Sequence, residues 1–456
     1  MDLTRGGEGS LHEQIEACLR EDIRRGRLPA GTRLPSSRGL ASALGVSRGV
    51  VTEAYGQLAS EGYLSVRQGA PVRVASAVRA PGKRPPAVSL LEHHAYDFDP
   101  GTPDLSAFPR EAWLRSLRGA LRGGELEAIG YGDPRGAPRL REALAAYLGR
   151  VRSVDADPEH MLICTGFMQG FALLCRTIRN HGIERLALED PGWHRHKLVA
   201  EQAGLEIVPV PVDGEGMRVQ ALDGAGAEAV VLTAAHQFPT GATLAAERRA
   251  ALLEWAGEDR VIVEDDYDSE LRYDGMSVGA LQGLAPERVV FIGSASTRLA
   301  PAMRLGWMLM PTWLTWELTA AKAVEDAGSE VIGQLALCDF IERGELDRHV
   351  RRMRLIYARR RERLLESLAR SLPGCRPVTS AAGLFELVQL PSGVDESAVV
   401  RAAAERGVGV QGLALHRFSP GGPPGLLLGY GKLAEPAIEQ GVRLLAEALA
   451  AVAAGH

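Results

Sequence analysis

The chain contains very little lysine. Its 456 residues include only four, Lys83, Lys197, Lys322 and Lys432, so almost all of its positive charge is carried by arginine. A covalent mechanism that uses a lysine amine needs that side chain at one defined position. Any site of this kind must therefore be built around one of four places in the sequence.

Cysteines and long apolar runs are also scarce. The five cysteines are scattered, odd in number and without C-x-x-C spacing, which fits a reducing compartment and argues against a metal cluster. The opening MDLTRGGEGS has no apolar signal core, and no segment reaches about 18 uninterrupted apolar residues. We expect a cytoplasmic protein with no metal site and no membrane partner.

Acidic residues are missing from one stretch near the N-terminus. Residues 23–52 contain six arginines and no Asp or Glu. Residues 1–94 hold 13 Lys and Arg against 9 Asp and Glu, net +4, which leaves 39 against 48, net −9, for residues 95–456. A basic end on an acidic body indicates a module that binds a polyanion, although a solvated basic surface is the alternative.

The first 75 residues have the pattern of a winged helix. A capping box at Ser10 and apolar residues at every fourth position predict a helix from Ser10 to Arg25. A short helix ending at Leu44 and a third from Ser47 through Glu61 make a helix-turn-helix. Alternating residues on both sides of Gln68–Pro71 predict a β-hairpin wing.

This segment resembles the GntR family of DNA-binding regulators, whose pattern is followed by GRLPAGTRLPSSRGLASALGVSRGVVTEAYGQLASEGYL. The resemblance implies that Arg48 reads a guanine in the major groove, because its planar fork matches two acceptors of that base. The wing lacks the family's usual tip, and a winged helix used only for protein contact is the alternative. The DNA-contacting residues implied are Arg33, Ser36, Arg38, Ser47, Arg48, Thr52, Arg67, Gln68 and Gly69.

The remainder divides into a linker and a large α/β domain. Residues 76–95 are rich in Pro, Gly and basic residues and have neither helical nor strand periodicity, which predicts a flexible linker. Residues 96–456 alternate short apolar runs with helical segments, which predicts a mostly parallel sheet with ligands bound beyond the strand ends. We expect a smaller C-terminal α+β part within this domain.

The most informative stretch is VVFIGSASTRLAPAMRLGWMLM, residues 289–310. It resembles the cofactor turn of fold-type I pyridoxal-phosphate (PLP) proteins at Gly293, Ser294, Ser296, Leu299, Pro301, Arg304, Leu305 and Gly306. The position of the Schiff-base lysine is Thr297, whose hydroxyl cannot form an imine. Other segments, including LEDPGW and AHQFPTGATL, resemble the MocR/GabR branch, in which a GntR winged helix is fused to an aminotransferase-like body.

The resemblance also implies the roles of the pocket residues. Asp265 would pair with the ring nitrogen of the cofactor, Tyr267 would hydrogen-bond its ring hydroxyl, and Trp193 would stack on the ring. Ser294 and Arg304 would hold the phosphate together with the backbone near Gly166, and Ser296 and Thr297 complete the pocket. A strand-ending cap for Asp265 and a plain core position for Trp193 are the alternatives.

The departures from the family pattern predict a regulator that is not a transaminase. Thr297 removes the Schiff base, Met168 replaces a hydroxyl that would face the phosphate, and Leu427 replaces a carboxylate-binding arginine. We therefore expect no catalytic residue and no covalent PLP, although PLP, its amine form PMP or another effector could bind non-covalently. The expected partners are operator DNA, a small-molecule effector and a second copy in a head-to-tail homodimer. An aminotransferase-like enzyme with non-covalent PLP and a ligand-independent DNA-binding dimer are the alternatives.

Overall fold

The computed structural model describes residues 9–67, 70–75, 94–123, 130–275, 278–378, 380 and 382–454. The chain divides into two compact units, residues 1–92 and 93–456. Most of the segment predicted as a linker, residues 76–93, lies outside the described residues, as do Gln68 and Gly69 of the predicted wing. Each unit has its own hydrophobic core.

The described part of the first unit contains three helices and a short hairpin, as the sequence predicted. Helices α1 (Leu11–Arg24), α2 (Ser37–Leu44) and α3 (Arg48–Ser60) are followed by strands β1 (Leu64–Ser65) and β2 (Arg73–Val74). The strands pair antiparallel, with Leu64 opposite Val74. The ends of α2 follow from local chemistry, because the Ser36 hydroxyl accepts from the Gly39 amide and Gly45 adopts the left-handed conformation that stops the helix.

The second unit is organised around an eight-stranded sheet. Its strands are β4 (Met161–Cys164), β5 (Arg185–Asp190), β6 (Glu206–Asp213), β7 (Gly216–Met217), β8 (Ala229–Leu232), β9 (Val261–Asp266), β10 (Val289–Ser294) and β11 (Gly306–Leu309). In space they follow the order β4-β11-β10-β9-β8-β5-β6-β7. The central strands run parallel, whereas β11 and β7 are antiparallel to their neighbours, so the predicted mostly parallel sheet is confirmed.

A smaller sheet and a set of helices complete this unit. The small sheet has the order β12-β13-β16-β15, and β14 pairs with β3 beside it. Its strands are β12 (Arg376–Val378), β13 (Phe385–Gln389), β14 (Val408–Gly409), β15 (Gln411–Gly412) and β16 (Gly425–Gly429), with β3 at Tyr96–Asp97. The helices are α4 (Arg110–Gly123), α5 (Pro138–Arg152), α6 (Phe167–Asn180), α7 (His194–Gln202), α8 (Ala246–Ala256), α9 (Thr312–Asp326), α10 (Val331–Glu342), α11 (Glu345–Ser371), α12 (Glu396–Glu405) and α13 (Glu435–Ala454).

Four strands of the main sheet are covered on both faces. Strands β4, β8, β9 and β10 are buried at every position. Their side chains are apolar except at Ser294 and at Glu264, Asp265 and Asp266, which gives the apolar runs seen in the sequence. The carboxyl ends of β9 and β10 lie side by side, with Asp266 opposite Gly293. Residues that follow these strands are therefore brought to one edge of the sheet. No helix in the described part of the chain is both long and apolar enough to cross a membrane.

Candidate functional site

A cavity of about 420 Å³ opens at this edge of the sheet. Seven of the eight residues predicted for the pocket line it, namely Trp193, Asp265, Tyr267, Ser294, Ser296, Thr297 and Arg304. Gly166 lies directly behind Arg304. The structure therefore brings the predicted pocket residues together, and their roles toward a ligand stay predictions.

The hydroxyl of Thr297, in the cavity wall, is hydrogen-bonded to the protein. Its Oγ1 donates to the backbone carbonyl of Tyr267, and the side chain is buried in the cavity wall. No lysine is found among the described residues that line the cavity. Lys197 and Lys322 pair with acidic side chains of their own helices, Lys432 pairs with Asp97, and Lys83 lies outside the described residues.

Arg304 lies at one end of the cavity, and its guanidinium packs against Gly166. Its Nη2 donates to the Thr165 carbonyl at 2.6 Å, and a Cβ on Gly166 would come within 2.5 Å of that nitrogen. Gly166 has φ of +80°, so this position both needs glycine and leaves room for the guanidinium. Arg304 itself has φ of +50° at the end of a short 3-10 turn. Its Nη1 also donates to the Pro301 carbonyl at 3.4 Å, and the other guanidinium N–H groups are available to an anion.

The floor of the cavity holds a buried carboxylate with a histidine behind it. His196 Nε2 lies 3.0 Å from Asp265 Oδ2, and both side chains are buried. Burial raises the pKa of Asp265 above its ordinary value, and the hydrogen bond with His196 opposes this by favouring the carboxylate. His196 also packs edge-on against Trp193, with ring centroids 5.1 Å apart. The sequence interpretation had not identified His196.

The hydroxyl of Tyr267 already has protein partners. It lies 2.9 Å from Nδ1 of His236 and donates to the His236 carbonyl at 3.0 Å. Burial, followed by the charge of Asp268, raises the pKa of Tyr267 well above its ordinary value, so the phenol is neutral near pH 7. A hydroxyl held in this way can still accept a hydrogen bond from a ligand.

A buried ionic network, which we call the turn network, supports the loop after β10. Arg298 donates through Nη2 to Asp266 at 2.8 Å, through Nη1 to the Ser294 carbonyl at 2.8 Å and through Nε to Glu270. Arg152 donates to the other oxygen of Asp266 at 3.1 Å. Burial alone would raise the pKa of Asp266, but the two arginines outweigh it and hold that pKa below its ordinary value. The network fixes the backbone on both sides of Thr297.

Besides Thr297, the sequence predicted two departures from the family pattern, Met168 and Leu427, and only Met168 lines the cavity. Met168 lines the cavity near the start of α6. Leu427 is fully buried on β16 and packs with Phe385, Leu387 and Leu413. An apolar side chain at Leu427 is therefore part of the small sheet's core and offers no charge to a carboxylate.

Seven of the nine predicted DNA-contacting residues lie in the described part of the first unit. Arg33, Ser36, Arg38, Ser47, Arg48, Thr52 and Arg67 are all exposed. Arg48 Nε donates to the Ser37 hydroxyl at 3.3 Å, and the Ser47 hydroxyl caps α3 by accepting from the Val50 amide. Within the described residues, none of these four arginines forms an ion pair, which leaves their charges available to phosphate or a base.

Two protein-family models match the chain. The model "Bacterial regulatory proteins, gntR family" matches residues 11–74, and "Aminotransferase class I and II" matches residues 98–421. The chain is also similar to solved aminotransferases. It has a TM-score of 0.72 and 26% identity with a Pyrococcus horikoshii kynurenine aminotransferase solved with PMP, covering 78% of this chain and 91% of that one.

Curated relatives cover both units at once. The chain is 32% identical to the HTH-type pyridoxine biosynthesis transcriptional regulator PdxR of Corynebacterium glutamicum, over 92% of each chain. It is 31% identical to the probable rhizopine catabolism regulatory protein MocR of Rhizobium meliloti, over 99% of this chain and 96% of that one. These matches confirm the fusion of the two modules that the sequence predicted.

Proposed function

Because the chain belongs to the MocR-type HTH transcriptional regulators, in which a GntR winged helix precedes an aminotransferase class I/II domain, we propose that it is a DNA-binding regulator that senses a small molecule in a pocket without transaminase activity. The observation that carries this proposal is Thr297. It occupies the wall where a covalent anchor would stand, and its hydroxyl is engaged by the Tyr267 carbonyl.

The pocket suits a vitamin B6 compound held without a covalent bond. Arg304, with Gly166 behind it, would receive a phosphate, and Asp265 would receive a protonated ring nitrogen. Trp193 and Tyr267 would contact the ring. When bound to a lysine-containing relative, such a cofactor supplies an electron sink for reactions of amino acids. In this chain the residues offer binding and orientation only, because Thr297 cannot accept or donate a proton near pH 7.

The name of PdxR supports a B6-type effector without excluding others. That regulator is named for pyridoxine biosynthesis and is 32% identical to this chain. We therefore propose PLP or PMP as the first compounds to test, with other small molecules next. An effector would act by changing the affinity of the winged helix for operator DNA.

A homodimer is part of the proposal. The resemblance implies a head-to-tail pair, and a two-fold dimer matches a DNA site with two half-sites. Exposed aromatic residues on α9, with Trp316 79% exposed, support an interface on the larger unit. Light scattering of the full chain should give twice the monomer mass, and a monomer would contradict this part.

The function is tested by a gel shift and an activity assay on the same preparation. We expect the purified chain to bind DNA from the region upstream of its own coding sequence, and PLP to change that affinity. We expect no amino-group transfer from a panel of amino acids to 2-oxoglutarate. Measurable transamination would support the enzyme alternative, and DNA binding that responds to no small molecule would support the ligand-independent dimer.

A further inference from the structure

Helix α9 has an apolar stripe on its outer face. Its inner face is anchored by Leu314 and Leu318, which are fully buried in the core beneath the helix. On the opposite side, Trp316, Ala320 and Val324 are spaced four residues apart and are all exposed, Trp316 by 79% and Val324 by 89%. Residues at this spacing lie on one face of a helix. A helix that is apolar on both faces is normally buried on both, so the outer face of α9 lacks a partner.

The charges of α9 are matched within the same chain. The structure describes every residue of this helix, and its four charged side chains all have partners. The pairs are Glu317 with His181, Lys322 with Asp326, and Glu325 with Arg176. The indole N–H of Trp313, the other tryptophan of the helix, donates to the Glu287 carbonyl at 3.3 Å. The outer stripe is therefore suited to an apolar surface and not to a charged one.

The stripe matches a second copy of itself in the antiparallel orientation. When two α9 helices cross about a two-fold axis at Ala320, each residue faces the one that lies equally far on the other side of position 320. Trp316 then packs on the partner's Val324, and Ala320 faces the partner's Ala320. The large side chain meets a smaller one, and the alanines at the axis let the two backbones approach closely.

The charges favour this orientation as well. Glu317 would face the partner's Ala323, and Glu325 would face the partner's Thr315, so no carboxylate meets another. In the parallel orientation each carboxylate would face its own counterpart, which is unfavourable. The antiparallel orientation also places the acidic last turn of each helix beside the positive N-terminal end of the other.

The area of the stripe limits how strongly it holds a second copy. A tryptophan side chain buries roughly 150–250 Å², so the exposed parts of Trp313, Trp316, Val324 and the neighbouring alanines come to about 500 Å² on each copy. The total of about 1,000 Å² is slightly below the roughly 1,200–2,000 Å² of stable interfaces. The stripe is thus large enough for one part of an interface, and other surfaces of the same two copies must supply the rest.

We propose that α9 packs antiparallel against α9 of a second copy, about a two-fold axis at Ala320, and forms part of the homodimer interface. This inference rests on the homodimer of the proposed function and assigns a surface to it. A two-fold contact of this kind uses the same residues on both copies, so it is complete with two chains and leaves no stripe exposed for a third.

Disulfide cross-linking of the full chain tests the alignment. Ala320→Cys should give a covalent dimer after mild oxidation, because the axis brings position 320 of both copies together. Val324→Cys is the matched control on the same face of the helix. It should not link to itself, because the antiparallel alignment separates the two copies of position 324 by about 12 Å along the helix axis. The wild-type chain shows what the five native cysteines contribute.

Analytical ultracentrifugation tests how much the contact contributes to the dimer. Ala320→Arg places two like charges at the axis and should raise the dissociation constant of the dimer at least tenfold. Ala369→Arg, which changes an exposed alanine of α11, is the control and should leave that constant unchanged.

Three results would overturn the inference. One is the absence of a link in Ala320→Cys, and another is equal linking in Val324→Cys. The third is a dimer that Ala320→Arg does not weaken. A wild-type chain that is monomeric at every concentration would instead refute the homodimer itself, and this contact with it.

Discussion

Replacing Thr297 by lysine should restore covalent attachment of PLP. The threonine hydroxyl contributes one hydrogen bond, to the Tyr267 carbonyl, so its loss should cost about 0.5–1.5 kcal/mol of folding stability. The longer side chain would enter a cavity of about 420 Å³. The turn itself should keep its shape, because Arg298 holds it from the protein side. The nearby Arg304 should lower the pKa of the new amine and favour its reactive neutral form.

The affinity should be modest. Met168 in the cavity wall offers the phosphate no hydroxyl donor. We therefore expect a dissociation constant of tens of micromolar, which corresponds to a binding free energy on the order of 6–7 kcal/mol. The assay is incubation with PLP, reduction with borohydride and mass spectrometry of the peptide that contains residue 297. Thr297→Met is the control, because methionine is similar in length to lysine but has no amine, and it should give no adduct. A Thr297→Lys protein that folds but gives no adduct at millimolar PLP would show that the pocket does not accept this compound.

Three further predictions concern other parts of the molecule. Arg48→Ala should weaken operator binding by about 1–3 kcal/mol in a gel shift without lowering the melting temperature, since Arg48 is exposed; unchanged binding would remove it from the DNA-reading surface. Gly166→Ala should lower the affinity for PLP about tenfold but leave that for phosphate-free pyridoxal unchanged, because the new Cβ displaces Arg304. Burial raises the pKa of Glu189 to about 7, so its bound proton stabilises the fold fully below about pH 4.3, and this contribution is lost as the pH rises through 7. The free energy of unfolding of Glu189→Gln, measured by urea denaturation, should therefore rise relative to that of the wild type by up to about 3 kcal/mol between pH 5 and pH 8. A difference that does not change with pH would refute this.

Strands β4, β8 and β10 were predictable because burial on both faces leaves almost only apolar residues. Strand β7 was not predicted, and β9 was predicted only in part. Its apolar run ends at Val263, but the strand continues through Glu264, Asp265 and Asp266, all of them buried. Their charges are matched by distant groups such as Arg152 and Arg298, and no local pattern in the sequence reveals such partners.

The pocket was predicted through a resemblance, whereas its supporting contacts were not. His196 lies 69 residues from Asp265 in the sequence, and only the parallel packing of β5, β8 and β9 brings them together. Helix ends in the first unit were predicted well because caps act over three or four residues.

The turn network has an evolutionary consequence. In the loop after β10, Arg298 is tied to Asp266, Glu270 and the Ser294 carbonyl, whereas Thr297 contributes a single hydrogen bond. The geometry of the loop is thus determined by position 298, and position 297 can mutate at little cost to folding. Under the proposed function, an ancestral lysine at position 297 could be lost in one step while the binding cavity survived. Binding and chemistry would then be inherited separately, which would allow an enzyme fold to be recruited as a receptor.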